Sequence, residues 1–421
     1  MNFFTSLNPN IFSSLQFQSK IKIIILLFIF LFGCSTSKRF YNENNSELNL
    51  NSIRVLLYEK PDSFEIVVGS KVNLFNESKL VAKIYSGNKL EFLLDSESIK
   101  VIINNQEYLS DSFFIKSADD EVLDINNKKY RGIVKIFLKD SQLKFVNQLS
   151  LEDYVKGVMT KEMPIGNGNE NYNALKAFSI CVRTYAYTKL LKNKNYFDIY
   201  SDTRDQVYGG IDGETEKTNS IVDETKGQLL FFGDEPAIVF YHSTCGGYTE
   251  DVQNVFSKTK IPYLVSVEDG DEHYCKVSPR YEWKEYYPEE VIVERLYSAE
   301  LIFTKNYKLS DVEIKSRFNS GRVNELMFTL LENGNEEKVV LLVGNSIRST
   351  IRSSDGKSIL RSNYFNIDVD ENKNVSINGK GNGHGVGLCQ WGAIGQSRIG
   401  KKYIEILNHY FPGTNVKSIY D

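Results

Sequence analysis

Three sets of residues in this 421-residue chain have the types and spacing that chemistry requires. The first is Glu162, followed at once by Met163-Pro164. Proline cannot continue a helix, so Glu162 is expected at a helix C-terminus, where unsatisfied carbonyls disfavour a carboxylate and raise its pKa. A carboxyl held protonated near neutrality is what general-acid cleavage of a glycosidic bond requires. A solvated charge at a helix end is the plain alternative. The second set is His242-x-x-Cys245 with His273-x-Cys275, four nitrogen and sulfur ligands on short spacings that suit one tetrahedral zinc ion. A Cys245–Cys275 disulfide, or two unlinked thiols, would use the same cysteines differently. The third is Arg183, on the polar stripe of an otherwise apolar segment. Its planar fork could orient Glu162, hold a substrate group, or close a structural salt bridge. The segment Gly383-His384-Gly385-Val386-Gly387 is not a phosphate-binding loop, because no lysine follows it and no βαβ unit encloses it.

The elements that must position these residues are legible in outline. Short β-branched and aromatic runs, among them Ile53 to Leu57, Phe64 to Val68, Val81 to Tyr85, Val101 to Ile103 and Gly132 to Phe137, alternate with Asn, Asp, Gly and Ser turns. Residues 52–147 therefore form a β-rich domain without a histidine. The character changes at Ser150, which caps a helix with Asp153 that runs to about Lys161. A second helix, Asn173 to Lys192, is apolar on most sides and must lie in the core. Strands follow at Gln228 to Phe232 and Ala237 to His242, then a mixed stretch from Tyr281 to Asp370. Helices at Leu388 to Ile399 and Ile404 to Tyr410 close the chain. The fold class is α+β, with residues 148–421 as the core that carries the chemistry.

Several ordered motifs in that core resemble one family. They are Leu151-Glu152-Asp153-Tyr154-Val155-Lys156-Gly157-Val158, Lys161-Glu162-Met163-Pro164, Ala174-Leu175-Lys176-Ala177, Val182-Arg183-Thr184-Tyr185-Ala186 and Asp205-Gln206-Val207-Tyr208-Gly209-Gly210. Tyr241-His242-Ser243-Thr244-Cys245-Gly246-Gly247 and Gly381-Asn382-Gly383-His384-Gly385-Val386-Gly387-Leu388-Cys389-Gln390-Trp391-Gly392-Ala393 continue the series. Together they resemble the stage II sporulation protein D / amidase enhancer family from about Ser150 to the C-terminus. The resemblance implies a lytic transglycosylase cutting between N-acetylmuramic acid and N-acetylglucosamine in glycan strands stripped of stem peptides, with Glu162 as the acid. One carboxyl suffices in such a reaction, because the sugar's own C6 hydroxyl attacks; ordinary glycosidases use two. Gln206, Tyr208 and Ser243 fall on motif positions that offer hydrogen bonds or stacking to sugars, and each could equally satisfy a loop backbone. His384 and Gln390 are expected to face the cleft, a buried histidine being the alternative. The resemblance also implies a metal near His242, Cys245, His273 and Cys275, without fixing its ligands. A non-catalytic, wall-binding activator of a cell-wall amidase is the second reading the family allows.

The N-terminus points to export. Lys20 and Lys22 precede the apolar run Ile23 to Phe32, which ends in Gly33-Cys34. That pattern describes a signal peptide over residues 1–33, with an uncleaved anchor as the alternative. Leu31-Phe32-Gly33-Cys34 looks like a lipobox, so Cys34 is the expected lipidation site and the attachment to a membrane. Residues 34–51, polar and Asn-rich, read as a tether. A formal net charge of -4 argues against a nucleic-acid partner, which would require a basic face.

Overall fold

A computed structural model describes residues 51–420 apart from 78, 120–121, 193–195, 257–258 and 333–335. The signal segment, Cys34 and all but the last residue of the tether lie outside the described residues. Among the described residues, no helix is long and apolar enough to cross a membrane. Strands and helices are both abundant, and the fold is α+β.

The first hundred described residues are β-structure throughout. A four-stranded sheet (Ser63–Val67, Lys89–Asp95, Ser98–Ile103, Gln106–Ser110) accompanies a seven-stranded one in which Ser52–Lys60, Gln142–Ser150 and Ile133–Lys139 are neighbours. Ile99, Val101 and Ile103 alternate with more exposed Ser98, Lys100 and Ile102, the period-2 pattern of a strand with one buried face. The strand Gln142–Ser150, paired antiparallel with Ser52–Lys60, runs directly into helix α1 (Leu151–Glu162). Ser150 ends the ladder and caps the helix, its Oγ accepting from the Asp153 N–H at 3.1 Å. The sheet thus fixes the start of the helix that ends in Glu162.

Helix α2 (Tyr172–Lys192) is buried along most of its length, including Leu175, Phe178, Val182 and Ala186, as its apolar composition requires. Helix α3 (Glu216–Glu224) leads to the strand Gln228–Phe232. One apolar cluster runs from Ile53 through α1 and α2 to Phe411. A second, from Trp283 to Ile377, is built by α4 (Glu289–Ser298), α5 (Asn345–Ile351) and two three-stranded sheets.

The strand expected over Ala237 to His242 shrinks to Tyr241–His242. The Ile238 N–H donates to the Tyr263 hydroxyl at 2.8 Å, a side chain taking the place of a neighbouring strand. The short strand pairs in parallel with Leu388–Cys389, which opens α6 (Gln390–Arg398), two residues shorter at its start than Leu388 to Ile399 implied. The final helix, α7 (Tyr403–Tyr410), stands where expected, but the strand Asn415–Ser418 follows it and pairs antiparallel with Gln228–Phe232.

Gly157 on α1 lies under the loop that carries Gln206 to Gly210. A Cβ there would meet the Tyr208 ring at 2.5 Å and the Gly210 carbonyl at 3.0 Å. Gly157→Ala is therefore expected to destabilise the fold by about 1–3 kcal/mol through overpacking, measurable by denaturant unfolding. An unchanged midpoint would show that the loop yields freely.

Candidate active site and cysteine cluster

Glu162 is the last residue of α1, and the chain leaves the helix through an extended Met163 before Pro164. Two later segments pin it. The Val207 N–H donates to its Oε1 at 2.6 Å, and the Gln390 Nε2, at the start of α6, donates to its backbone carbonyl at 2.8 Å. Burial raises the Glu162 pKa, against the opposing pull of the Val207 N–H. The cause is desolvation rather than the helix-end carbonyls on which the sequence argument rests.

The loop that supplies Val207 is held by aromatic packing. Tyr154 of α1 is buried, stacks on Tyr208 with ring centres 5.3 Å apart, and donates its hydroxyl to Gln206 Oε1 at 3.0 Å. The Tyr208 hydroxyl donates to Asn147 Oδ1 at 2.9 Å. Tyr208 therefore spends its hydroxyl and its ring inside the protein, which corrects the expectation of a free sugar contact. Gln206 is fully buried, and its amide nitrogen faces the Tyr241 hydroxyl without a bond of normal geometry between them. Burial, followed by the field of Glu162, pushes the Tyr241 phenol well up. Tyr241 is the polar neighbour of Glu162 that sequence reasoning passed over, although it stands directly before His242 in a motif already singled out.

Arg183 does not serve Glu162. It is fully buried and makes a forked ion pair with Glu152, Nε to Oε1 at 3.0 Å and Nη2 to Oε2 at 2.8 Å, while Nη1 and Nη2 reach the Gln228 and Val222 carbonyls. The structural salt bridge is the outcome, because the polar stripe of α2 faces α1 and α3 rather than a cleft. Ser243 is part-buried, its hydroxyl 3.3 Å from that of Thr244 and its carbonyl accepting from the Trp391 N–H. His384 donates from Nε2 to the Tyr241 carbonyl at 2.9 Å and accepts at Nδ1 from the Val386 N–H. Burial and the nearby Arg348 push its pKa down to about 3, so the ring is neutral.

The proposed ligand set of two histidines and two cysteines needs correction. Cys245, Asp269, Cys275 and Cys389 bring their ligand atoms within 4.8 Å of one another, all buried. The His242 Nδ1 faces the Val386 carbonyl at 3.1 Å, and its Nε2 has no partner. His273 turns its ring to the Tyr281 hydroxyl. Asp269 and Cys389 take their places, drawn in by tertiary contacts that no local spacing announces. The four cysteines among the described residues are free, and Cys245 and Cys275 hold their sulfurs 3.4 Å apart, beyond a covalent bond. Hydrogen bonds from Cys245 and Cys389 push the Cys275 thiol down, while burial pushes Cys245 and Cys389 up. Backbone N–H groups of Cys245 and Gly392 donate to Cys389 Sγ at 3.2 Å, and Tyr410 donates to Asp269 Oδ1 at 2.6 Å. Three sulfurs and a carboxylate in one buried spot, each already oriented by neighbours, are a donor set that fits a metal ion.

Arg183→Met is expected to lower stability by roughly 3–5 kcal/mol, because Glu152 is left as an uncompensated buried charge. Chemical denaturation checks it. A loss of ligand affinity at unchanged stability would return Arg183 to a binding role.

The sequence family described as stage II sporulation protein matches residues 139–232, the stretch that contains Glu162, Arg183 and Gln206. A second, described as a domain of unknown function, matches residues 275–387. An uncharacterised protein of Brachyspira hyodysenteriae is 27% identical over 373 residues, covering 87% of this chain and 93% of that protein. The amidase enhancer of Bacillus subtilis is 27% identical over 390 residues, covering 83% of this chain but only 53% of its own length. The stage II sporulation protein D of the same organism is 24% identical over 287 residues, 64% of this chain and 75% of that one. With the ordered motifs, these matches support a stage II sporulation protein domain over residues 139–232 and make the chain similar to the stage II sporulation protein D / amidase enhancer family.

Proposed function

We propose that the chain is a peptidoglycan lytic transglycosylase, cleaving the bond between N-acetylmuramic acid and N-acetylglucosamine in strands stripped of stem peptides. The observation that carries this reading is Glu162 itself: a carboxyl raised in pKa by burial, with Oε1 fixed by the Val207 N–H and its backbone fixed by Gln390. That arrangement leaves Oε2 to carry the proton. Protonation of the bridging oxygen by Glu162 lets the bond from C1 break. The C6 hydroxyl of the same sugar then attacks C1 and gives its proton to the Glu162 carboxylate, which restores the acid and leaves a 1,6-anhydro end. Burial raises the Glu162 pKa, which favours the protonated form a general acid needs.

The family's association with peptidoglycan metabolism supports the substrate class. Export with an acylated Cys34 would place the chain on a membrane, facing the wall. A second reading, a non-catalytic activator of a cell-wall amidase, is favoured by one relative bearing the name amidase enhancer and aligning with 83% of this chain. The cluster of Cys245, Asp269, Cys275 and Cys389 would hold one zinc ion as a structural tie between the Tyr241–His242 strand, the loop before α4 and the start of α6.

Glu162→Gln keeps the bond from Val207 and removes the proton. It should lower release of anhydro-ended fragments from denuded glycan by about 10²–10⁴-fold. It should also melt higher than wild type above neutral pH and equally at low pH. A carboxyl with a raised folded pKa is easiest to bury protonated and loses that advantage as pH rises through the folded value. Equal cleavage by both proteins would remove Glu162 as the acid. If both are inactive and stimulate an amidase alike, the activator reading stands.

For the metal, purified protein should contain about one zinc per chain, and strong chelation should lower its melting temperature. Non-reducing peptide mapping that finds a Cys245–Cys275 disulfide in metal-free protein would overturn the assignment.

A further inference from the structure

Beside the strand Tyr241–His242, on the side of His384, lies a shallow cleft open to solvent. The first apolar unit lends it Glu250 and His384; Arg322, Arg348 and Asn363 come from the segment that builds the second apolar core. Arg322 is only 3% exposed, donates to the Tyr248, Thr249 and Cys245 carbonyls, and leaves its buried Nε without a partner. Arg348 donates to the Leu360 and Arg361 carbonyls. The two guanidiniums are close enough that Arg322 helps to depress Arg348.

No described carboxylate makes an ion pair with either arginine. Glu250, the one acid lining the cleft, gives its oxygens to the Ser320 hydroxyl, the Asn254 amide and the Asp251 N–H. Because His384 is neutral, two cations less one anion leave the lining with one net positive charge. Neighbouring guanidiniums without a shared counterion repel at low dielectric, and a bound monoanion would relieve that repulsion. At the cleft, Phe256 stacks on Phe240 with centres 4.6 Å apart, touches the His384 ring edge-on at 4.8 Å, and remains 48% exposed. An apolar ring face at the rim suits a ligand whose anionic group sits on a larger body rather than a free ion.

We propose that this cleft binds a carboxylate borne on a peptidoglycan fragment, with Arg322 and Arg348 as its cationic wall and Phe256 against the body behind it. The carboxylate chemistry stands on the cleft; the fragment's class rests on the function proposed above. The same chemistry has two sources in such a polymer, the lactyl carboxylate of a muramic acid stripped of peptide and the C-terminal carboxylate of a peptide. A single positive charge matches either and falls short of phosphate.

The test titrates the full protein with N-acetylmuramic acid, N-acetylglucosamine, a short peptide with free or amidated C-terminus, and inorganic phosphate. One carboxylate ligand should bind at least about tenfold more tightly than its uncharged counterpart, the worth of a charged hydrogen bond, and the arm that does so names the source. Arg348→Gln should abolish that preference. Because Arg348 also ties two carbonyls, Asn345→Asp is the second variant, adding a negative charge at the exposed rim with both arginines kept. It should weaken binding by about tenfold, with a small loss of melting temperature from the exposed bond that Asn345 Nδ2 donates to the Val255 carbonyl. Equal binding of charged and uncharged ligands, phosphate binding as tight as either carboxylate, or unchanged affinity in a natively folded Asn345→Asp would each overturn the proposal. Glycan cleavage by wild type is followed in parallel. Cleavage without carboxylate preference defeats the cleft and spares the function, and the reverse result does the opposite.

Discussion

A guanidinium without solvent exposure sits where α1, α2, α3 and the strand Gln228–Phe232 meet. Arg183 forks onto Glu152, reaches the Val222 and Gln228 carbonyls, and the same carboxylate accepts from the Gly227 N–H at 3.1 Å. Moving two charges out of water is expensive, and only a geometry that satisfies nearly every donor and lone pair offsets it. Here that condition ties four elements to one point, so the position of α1 is set at its first turn by Glu152. Its last residue, Glu162, is placed about three turns later by a rigid rod.

That rod delivers the carboxyl into a layer assembled from distant parts of the chain. Tyr154 and Tyr208 stack to hold the loop whose Val207 N–H grips Oε1, and Gln390 arrives from the C-terminal segment to grip the carbonyl. The parallel pairing of Tyr241–His242 with Leu388–Cys389 makes this possible, since it puts Tyr241 and the start of α6 side by side. The same pairing brings Cys389 next to Cys245, whose N–H bonds its sulfur. One short parallel ladder thus supports both Glu162 and the cysteine cluster. A metal in that cluster would lock the ladder that orients Gln390, which links structural stability to the geometry of Glu162.

The local architecture was legible because it is set by short-range physics. The Ser150 cap, the stop at Pro164, the all-round apolarity of α2 and the β-branched strand runs each reflect hydrogen bonding or burial decided within a few residues, and the structure reproduces them. The expected strand over Ala237 to His242 failed over most of its length because a side chain, Tyr263, took the backbone donor a neighbouring strand would have used.

The sequence by itself determined that the chain is α+β, where α1, α2 and α7 lie, and that Glu162 stands at a helix terminus in a recognisable series of motifs. Tertiary structure alone decided what each polar side chain faces. Arg183 and Tyr208 turned inward to satisfy buried partners, while Tyr241, unremarked in its motif, kept an unpaired hydroxyl near the acid. Asp269 and Cys389 joined Cys245 and Cys275 across sequence separations of up to 144 residues, while His242 and His273 found partners elsewhere. Spacing along a chain constrains which neighbours share a helix face or a strand edge. A buried polar atom instead takes whichever partner the packed core brings within hydrogen-bonding distance, and that choice is made only when distant segments meet.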